Sequence, residues 1–384
     1  MVLSGLPLRP QLLVRAVVFA LIVVGLYGLL RSKRAELVDF MVPRTAAERF
    51  LAAEPLYRPE DGHYQYKYLP AFALTMAPFA WMPKEAANFV WFTLTAAMAW
   101  TLVIGSIAAL PDRRLAVRRL VWLTLLLNGK FLVRELVFGQ FNLLTALMLL
   151  AAIVAAQHGR VRTPGVLVAL GVFVKPYALV LVPWLALRLG WRALVPFGIV
   201  LAVGLLMPIA FYGWDGNLAL LHDWYRTVTE TTGPNLMGPE NISFASTWAK
   251  MMSAGSVATA LATASSAAVV AAGVLMMTRW RAPSDPYYLD AAYFLLLVPV
   301  LSPQGWDYVL VIGLPAFVCL IDRWPQQSGG WRAALVVGFA LTSFIIFDLQ
   351  GRWLYGLLTG VGAVTWGVVV LAAGLMKLRS RALA

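Results

Sequence analysis

Apolar residues along this chain do not recur singly on one face of a helix. They run on for whole stretches and are separated by short polar joints. About 20 apolar residues in a helix cross the roughly 30 Å hydrocarbon core of a bilayer. The candidate spans are residues 12–30, 86–110, 120–133, 141–156, 166–174, 177–187, 193–212, 257–277, 291–301, 308–321, 333–347 and 354–376, about twelve in all. Several are short, as expected of helices that stop early around a cavity. Residues 69–82 are also apolar, but as a helix they reach only about 21 Å. Pro70, Pro78 and Pro83 interrupt them. This stretch reads as a helix lying in the membrane interface. The first span is expected to be retained, because Arg31-Ser32-Lys33-Arg34 follows it where a cleaved leader would carry small residues.

This pattern predicts one all-α polytopic membrane domain over residues 1–384, with outer loops at 31–85 and 214–256. In the first loop Pro43 is expected to start a short helix and Pro55 to end it. Phe50 and Leu51 would then face lipid, with Arg44, Glu48 and Arg49 toward water. No internal repeat is visible.

Composition agrees with this picture. Hydrophobic residues make up 61% of the 384 and charged residues 13%, against about 25% charged in soluble domains. A soluble enzyme, a disordered chain and a collagen are excluded. The net charge of +13 suggests nucleic acid only until it is mapped. With the N-terminus inside, the whole excess falls on one set of loops, as the positive-inside rule requires. Arg31, Lys33 and Arg34 are the exception. The expected placement is the bacterial cytoplasmic membrane, with both termini cytoplasmic, the reactive face outside and no nucleic-acid partner.

A single cysteine, Cys319, rules out an internal disulfide and reads as a packing residue. His63, His158 and His222 are scattered, and no zinc-protease, P-loop or dinucleotide-binding motif occurs. No cofactor and no metal site are expected, with Glu36 beside Asp39 the only acidic pair left open.

The candidate chemistry gathers on the outer side. Asp39, just past the first span, is either an interfacial acid paired with Arg31 or Arg34, or a carboxylate whose apolar setting makes it a base. Tyr64-Gln65-Tyr66-Lys67-Tyr68 is either an aromatic belt or a binding surface for a sugar or phosphate. Arg134-Glu135 before Gly139-Gln140-Phe141-Asn142 is a capped turn or a cavity lining. Lys175-Pro176 puts a cation between two short spans, where it snorkels or neutralises a lipid phosphate. Ser302-Pro303-Gln304-Gly305-Trp306-Asp307-Tyr308 is a turn, or a polyol site built on Trp306 and Asp307. Asp348-Leu349-Gln350-Gly351-Arg352 is a weaker outer turn of the same kind. Asn241-Ile242-Ser243 has the form of a glycosylation sequon, though such tripeptides are common.

Taken in order, several of these segments resemble the family-87 glycosyltransferases, polyprenol-phosphate-dependent membrane enzymes of the GT-C type. They are Asp39-Phe40, Ala46-Ala47 leading to Tyr57, Tyr66-Lys67-Tyr68-Leu69-Pro70, Gly139-Gln140-Phe141-Asn142, Lys175-Pro176, Asn241-Ile242-Ser243 and Leu301-Ser302-Pro303-Gln304-Gly305-Trp306. Three places depart from the family pattern. Ala53-Glu54 stands where a glycine is usual, Leu69 replaces a proline, and Asp307-Tyr308 follows the tryptophan where the family often has histidine.

The resemblance implies a GT-C-like bundle with an interfacial helix in the first loop. It implies inverting transfer of a sugar, mannose first and arabinofuranose second, from a polyprenyl-phosphate donor to a glycolipid or cell-envelope glycan. Asp39 would be the base. Lys67, Lys175, Arg134 and Arg352 would meet the phosphate, and Tyr66, Tyr68, Gln140, Asn142, Trp306 and Asp307 the sugar and acceptor. Two other classes stay open on the sequence: a lipid-linked sugar transporter or flippase, which would want repeat symmetry, and a glycan ligase or polymerase, which would want a large late loop.

Overall fold

The computed structural model describes residues 8–32, 37–280 and 285–381. Glu36 lies outside them, and with it the open acidic pair. Among the described residues the protein is helical and contains no strand. The first half of the chain forms α1 (Leu8–Ser32), α2 (Val38–Leu51), α3 (Pro70–Thr75), α4 (Ala77–Ala80), α5 (Lys84–Ala108), α6 (Val117–Phe138), α7 (Asn142–Gln157), α8 (Thr163–Val174) and α9 (Val182–Trp184). The second half adds α10 (Trp191–Leu206), α11 (Ile209–Leu236), α12 (Phe244–Met252), α13 (Ser256–Arg279) and α14 (Tyr287–Leu301). It ends with α15 (Leu314–Asp322), α16 (Gly329–Ser343), α17 (Phe347–Gly360) and α18 (Ala363–Arg381). Tight 3₁₀ turns cover Pro59–Tyr64, Pro176–Leu181 and Asp307–Gly313.

Among the described residues, α5, α13 and Ala363–Ser380 are long and apolar enough to cross a membrane. Two bent pairs raise the number to 5: α10 with α11, bent by 91°, and α16 with α17, bent by 103°. Further apolar helices of 10–17 residues include α7, α8 and α14. The chain is an integral membrane protein.

Several elements differ from the sequence expectation. The region 214–256 is not an open loop, since α11 and α12 occupy most of it. Residues 354–376 are not one helix: the chain turns at Gly362, whose φ is +67°, and the residues before the turn belong to α17. Residues 69–82 form α3 and α4, two short helices that each carry a proline in their first turn. Pro43 does not start a helix. It sits inside α2, which begins five residues earlier at Val38. Lacking an N–H, Pro43 cannot close the helical bond to the Asp39 carbonyl. Phe50 is fully buried rather than turned to lipid, while Leu51 is exposed. Arg44 points inward to the Phe79 and Met82 carbonyls, and Arg49 pairs with Asp61.

The core centres on α14 and α15, which are buried along most of their length. Cys319 lies within α15, buried and free. Buried charges in this core are paired. Asp290 on α14 holds Arg188 and Arg379, and Arg379 is itself fully buried. A buried carboxylate persists only with such compensation. Apolar side chains of α1, α10 and α13 remain exposed, as lipid-facing residues should.

A separate aromatic block fixes the start of α2. Phe40 is fully buried and stacks on Trp91 at 5.2 Å, and Trp91 meets Phe141 at 4.4 Å. The Trp91 indole donates to the Gly139 carbonyl at 3.0 Å. Gly139 ends α6 in the left-handed conformation, with φ +70°. A Cβ there would stand 2.8 Å from the Phe40 Cβ and 3.1 Å from that of Leu37. Only glycine meets both demands.

Gly139→Ala is expected to lower stability by about 1–3 kcal/mol from the backbone conformation alone, and by more once Phe40 is displaced. Thermal unfolding of the purified protein in detergent would show it as a lowered midpoint.

Candidate active site

The Phe40 anchor decides where Asp39 points. Adjacent residues on a helix lie about 100° apart, so with Phe40 locked in the aromatic block Asp39 faces a cavity of about 780 Å³. Asp39 is the second residue of α2. Burial is the strongest influence on its carboxyl and holds it above the usual carboxylate range, against the opposing pull of Lys175 and of a hydrogen bond from Gln140. That bond, from Gln140 Nε2 to Asp39 Oδ2, is 2.6 Å long.

The Gly-Gln-x-Asn segment acts as a strap over the end of α6. Gly139 N and Gln140 N both donate to the Glu135 carbonyl, at 3.0 and 3.1 Å. Asn142 Nδ2 and Leu143 N donate to the Glu135 carboxylate, at 2.6 and 3.2 Å. Glu135 is fully buried. The strap lets the Gln140 side chain reach into the cavity while Asn142 stays behind the wall.

Lys175 closes α8. The residue before a proline is driven to extended backbone, and Lys175 has φ −148° and ψ 124°. Its Nζ donates to Gln140 Oε1 at 3.1 Å. It lies 5.6 Å from the Tyr68 ring and 5.7 Å from the Tyr177 ring. Its ammonium interacts electrostatically with both Glu135 and Asp39. Lys67 also lines the cavity, and burial pushes its ammonium below the usual lysine range, partly offset by Asp39. Leu179, Val180, Val228, Val298 and Leu301 contribute an apolar part of the lining.

The structure therefore brings Asp39, Lys67, Tyr68, Gln140, Lys175 and Trp306 together around one cavity. Of the residues expected to meet phosphate, sugar or acceptor, Tyr66, Arg134, Asn142, Asp307 and Arg352 do not line it. Tyr66 is buried, donates to the Leu69 carbonyl at 3.0 Å and lines a second cavity of about 300 Å³ beside Arg49 and Asp61. Arg134 and Asp307 are partners of each other at 2.8 Å. Arg134 also holds Glu240, and Lys130 holds Asp307 at 3.2 Å. Arg352 is exposed on α17.

The Ser302–Asp307 turn is stapled to the segment around Asn241. Gly305 O accepts from Ile242 N, Asp307 N donates to the Glu240 carbonyl, and Asn241 Nδ2 donates to the Pro303 carbonyl. A Cβ on Gly305 would fall 1.7 Å from the Pro299 carbonyl oxygen, so the turn closes only on glycine. Asn241 is buried with its amide engaged, which leaves no acceptor for a glycan.

Sequence reading offered Glu135 only as a cavity lining beside Arg134, gave Tyr308 no role of its own within the Ser302–Tyr308 segment, and passed over His63. Glu135 was detectable as an acid in an apolar helix, but the span drawn there ended at residue 133, whereas α6 continues to Phe138. His63 reaches the cavity from the Pro59–Tyr64 turn, and no local pattern announces this. Among the described residues, no three His, Cys, Asp or Glu stand together as metal ligands would.

The arrangement pairs a carboxylate and two ammonium groups with an apolar wall. It suits proton removal beside an anionic, lipid-borne group. Comparison with known proteins points the same way. The family model for Glycosyltransferase family 87 matches residues 66–303. A protein of Mycobacterium tuberculosis (strain ATCC 25618 / H37Rv), polyprenol-phosphate-mannose-dependent alpha-(1-2)-phosphatidylinositol mannoside mannosyltransferase, is 25% identical over 370 residues, covering 88% of this chain and 84% of its own length. No solved structure matches. The family match spans well over half of the chain and takes in the strap, the Lys-Pro break and the start of the stapled turn, so the chain belongs to glycosyltransferase family 87 and is a membrane glycosyltransferase.

Proposed function

We propose that the protein moves one sugar, mannose in the first instance, from a polyprenyl phosphate to a glycolipid or envelope glycan, with inversion. The observation that carries this reading is the Gln140 amide. It joins the Asp39 carboxylate to the Lys175 ammonium on the wall of a cavity that also has an aliphatic lining. A base and a phosphate-binding cation are thereby held a fixed distance apart, beside space for a lipid. The named relative depends on polyprenol-phosphate-mannose, which supports the same donor here.

In this reaction Asp39 takes the proton of the acceptor hydroxyl. The freed oxygen attacks the anomeric carbon, the bond from that carbon to the phosphate oxygen breaks, and polyprenyl phosphate leaves. Lys175 and Lys67 stabilise the growing phosphate charge. Tyr68 and Trp306 hold sugar rings. Arg134, Asp307 and Glu240 fix the stapled turn that carries Trp306, while Asn142 and Tyr66 support the wall. We assign Arg352 no contact with the substrate. The cavity faces outward from a bundle of about twelve spans in the cytoplasmic membrane, both termini lying inside. The one-sided distribution of basic residues supports this orientation.

The test is label transfer in lipid nanodiscs, using a panel of radiolabelled polyprenyl-phosphate sugars with host lipid and glycan extract as acceptor. Asp39→Asn should fold, insert and lose about 10²- to 10⁴-fold in rate, the usual contribution of a positioned base. Near-normal turnover would refute the assignment of the base. Lys175→Ala should raise the donor KM by about tenfold or more, the scale of a lost charge-assisted hydrogen bond. An unchanged donor KM would make Lys175 structural.

The rate should follow a bell in pH. Asp39 works as the anion, and its pKa is raised, so activity is lost as pH falls through a value above the usual carboxylate figure of about 4. Lys67 works as the cation, and its pKa is lowered, so activity is lost as pH rises through a value below the usual figure of about 10.4. Lys67→Arg should move the alkaline limb upward, because a guanidinium stays protonated. A limb that stays in place would remove Lys67 from that role.

A further inference from the structure

Around Gln140 the direction of every hydrogen bond is forced. A lysine ammonium has donors only, so Lys175 Nζ, 3.1 Å away, identifies Gln140 Oε1 as the carbonyl oxygen of the amide. Nε2 therefore carries both amide hydrogens. One goes to Asp39 Oδ2 at 2.6 Å and the other to the Tyr308 hydroxyl oxygen at 3.2 Å. An amide nitrogen cannot accept in return, so the Tyr308 oxygen is the acceptor and its own hydrogen must point elsewhere. Tyr308 lines the cavity, and among the described residues no acceptor takes that hydrogen. A second observation concerns the ring. The Arg134 guanidinium lies 5.8 Å from its centroid and Phe138 packs beside it at 6.3 Å, which fixes the ring and so the place of its hydroxyl.

We propose that Tyr308 is a substrate-contacting residue whose hydroxyl donates to a phosphate oxygen of the lipid donor. The phosphate is the partner because Lys175 is bound to the same amide, so an anion drawn to the ammonium comes within reach of the phenol. This rests on the cavity being the transfer site, but it does not need Asp39 to be the base. The phenol adds a neutral, directional contact to the charge supplied by Lys175. Its direction exists only while Gln140 fills the other side of the oxygen.

The experiment titrates polyprenyl monophosphate against wild type, Tyr308→Phe, Gln140→Glu and Asp39→Asn in nanodiscs, with binding read by native mass spectrometry. Tyr308→Phe keeps the ring and its contact with Phe138, so its unfolding midpoint should match wild type. Its affinity should fall roughly 10- to 100-fold, the size expected of a hydrogen bond to a charged group. Gln140→Glu puts a carboxylate where the amide was, and the phenol then donates to it instead of to phosphate. Adding Tyr308→Phe to that variant should change affinity less than about twofold, a strong non-additivity. Asp39→Asn should bind the phosphate at least as tightly as wild type, because a negative charge is gone.

Equal binding by Tyr308→Phe and wild type would overturn the proposal. So would an equal loss in both backgrounds, or a wild type that does not bind polyprenyl phosphate. If Asp39→Asn turned over normally, the base assignment would fail and the phosphate titration would still decide the role of Tyr308.

Discussion

The site depends on how the buried Glu135 carboxylate is compensated. A charge removed from water is tolerated only when it is hydrogen-bonded and paired. The Glu135 carboxylate takes hydrogen bonds from Asn142 and Leu143 and interacts electrostatically with Lys175, while Gly139 and Gln140 donate to the backbone carbonyl of the same residue. Folding the strap back in this way requires the left-handed turn at Gly139, which Phe40 and Trp91 cover. The same fold-back delivers the Gln140 amide to Asp39 and Lys175. Packing in the aromatic block, satisfaction of a buried acid and the geometry of the reactive groups are thus one arrangement.

Much of this could be read from the residues. The apolar runs marked the helical bundle. Asp39, Lys67, Lys175, Gln140 and Trp306 were all singled out, and the structure brings them to one cavity. What escaped reading depended on three-dimensional partners. Whether Asn142 lines a cavity or caps a buried acid depends on Glu135, seven residues away and on another helix. Arg134 looks like a free cation until Asp307 and Glu240 are brought to it across 173 and 106 residues. Pro43 looked like a helix start because proline is favoured in a first turn. The aromatic anchor at Phe40 lies outside any local rule, and it pulls the helix start back to Val38.

The two helical elbows were invisible for a related reason. Hydrophobicity continues through Met207–Pro208 and through Phe344–Ile346, so the spans read over 193–212 and 333–347 run across both breaks. The paired helices nevertheless lie 91° and 103° apart, and in the first pair the residue that leaves helical backbone is Gly213, with φ +70°. Gln304 then ties α11 to the stapled turn through Thr231 and Thr232. The bent helix thereby becomes part of the cavity wall, to which it gives Trp224, Val228 and Thr232.

The enclosed charges of the cavity have a further consequence for the proposed reaction, in the conservation of charge through a cycle. Before transfer, Asp39 is an anion and the donor phosphate is a diester with one negative charge. Afterwards Asp39 holds a proton, while the phosphate is a monoester approaching two. The charge enclosed with Lys67, Lys175 and Glu135 is the same at both ends, so the fixed cations need no rearrangement as the bond breaks. Imbalance arises only when the product departs. A phosphate monoester takes a second proton near pH 6, and in the proposed cycle the proton gained by Asp39 supplies it. Handing it over resets the carboxylate and lets the lipid phosphate leave with a single charge.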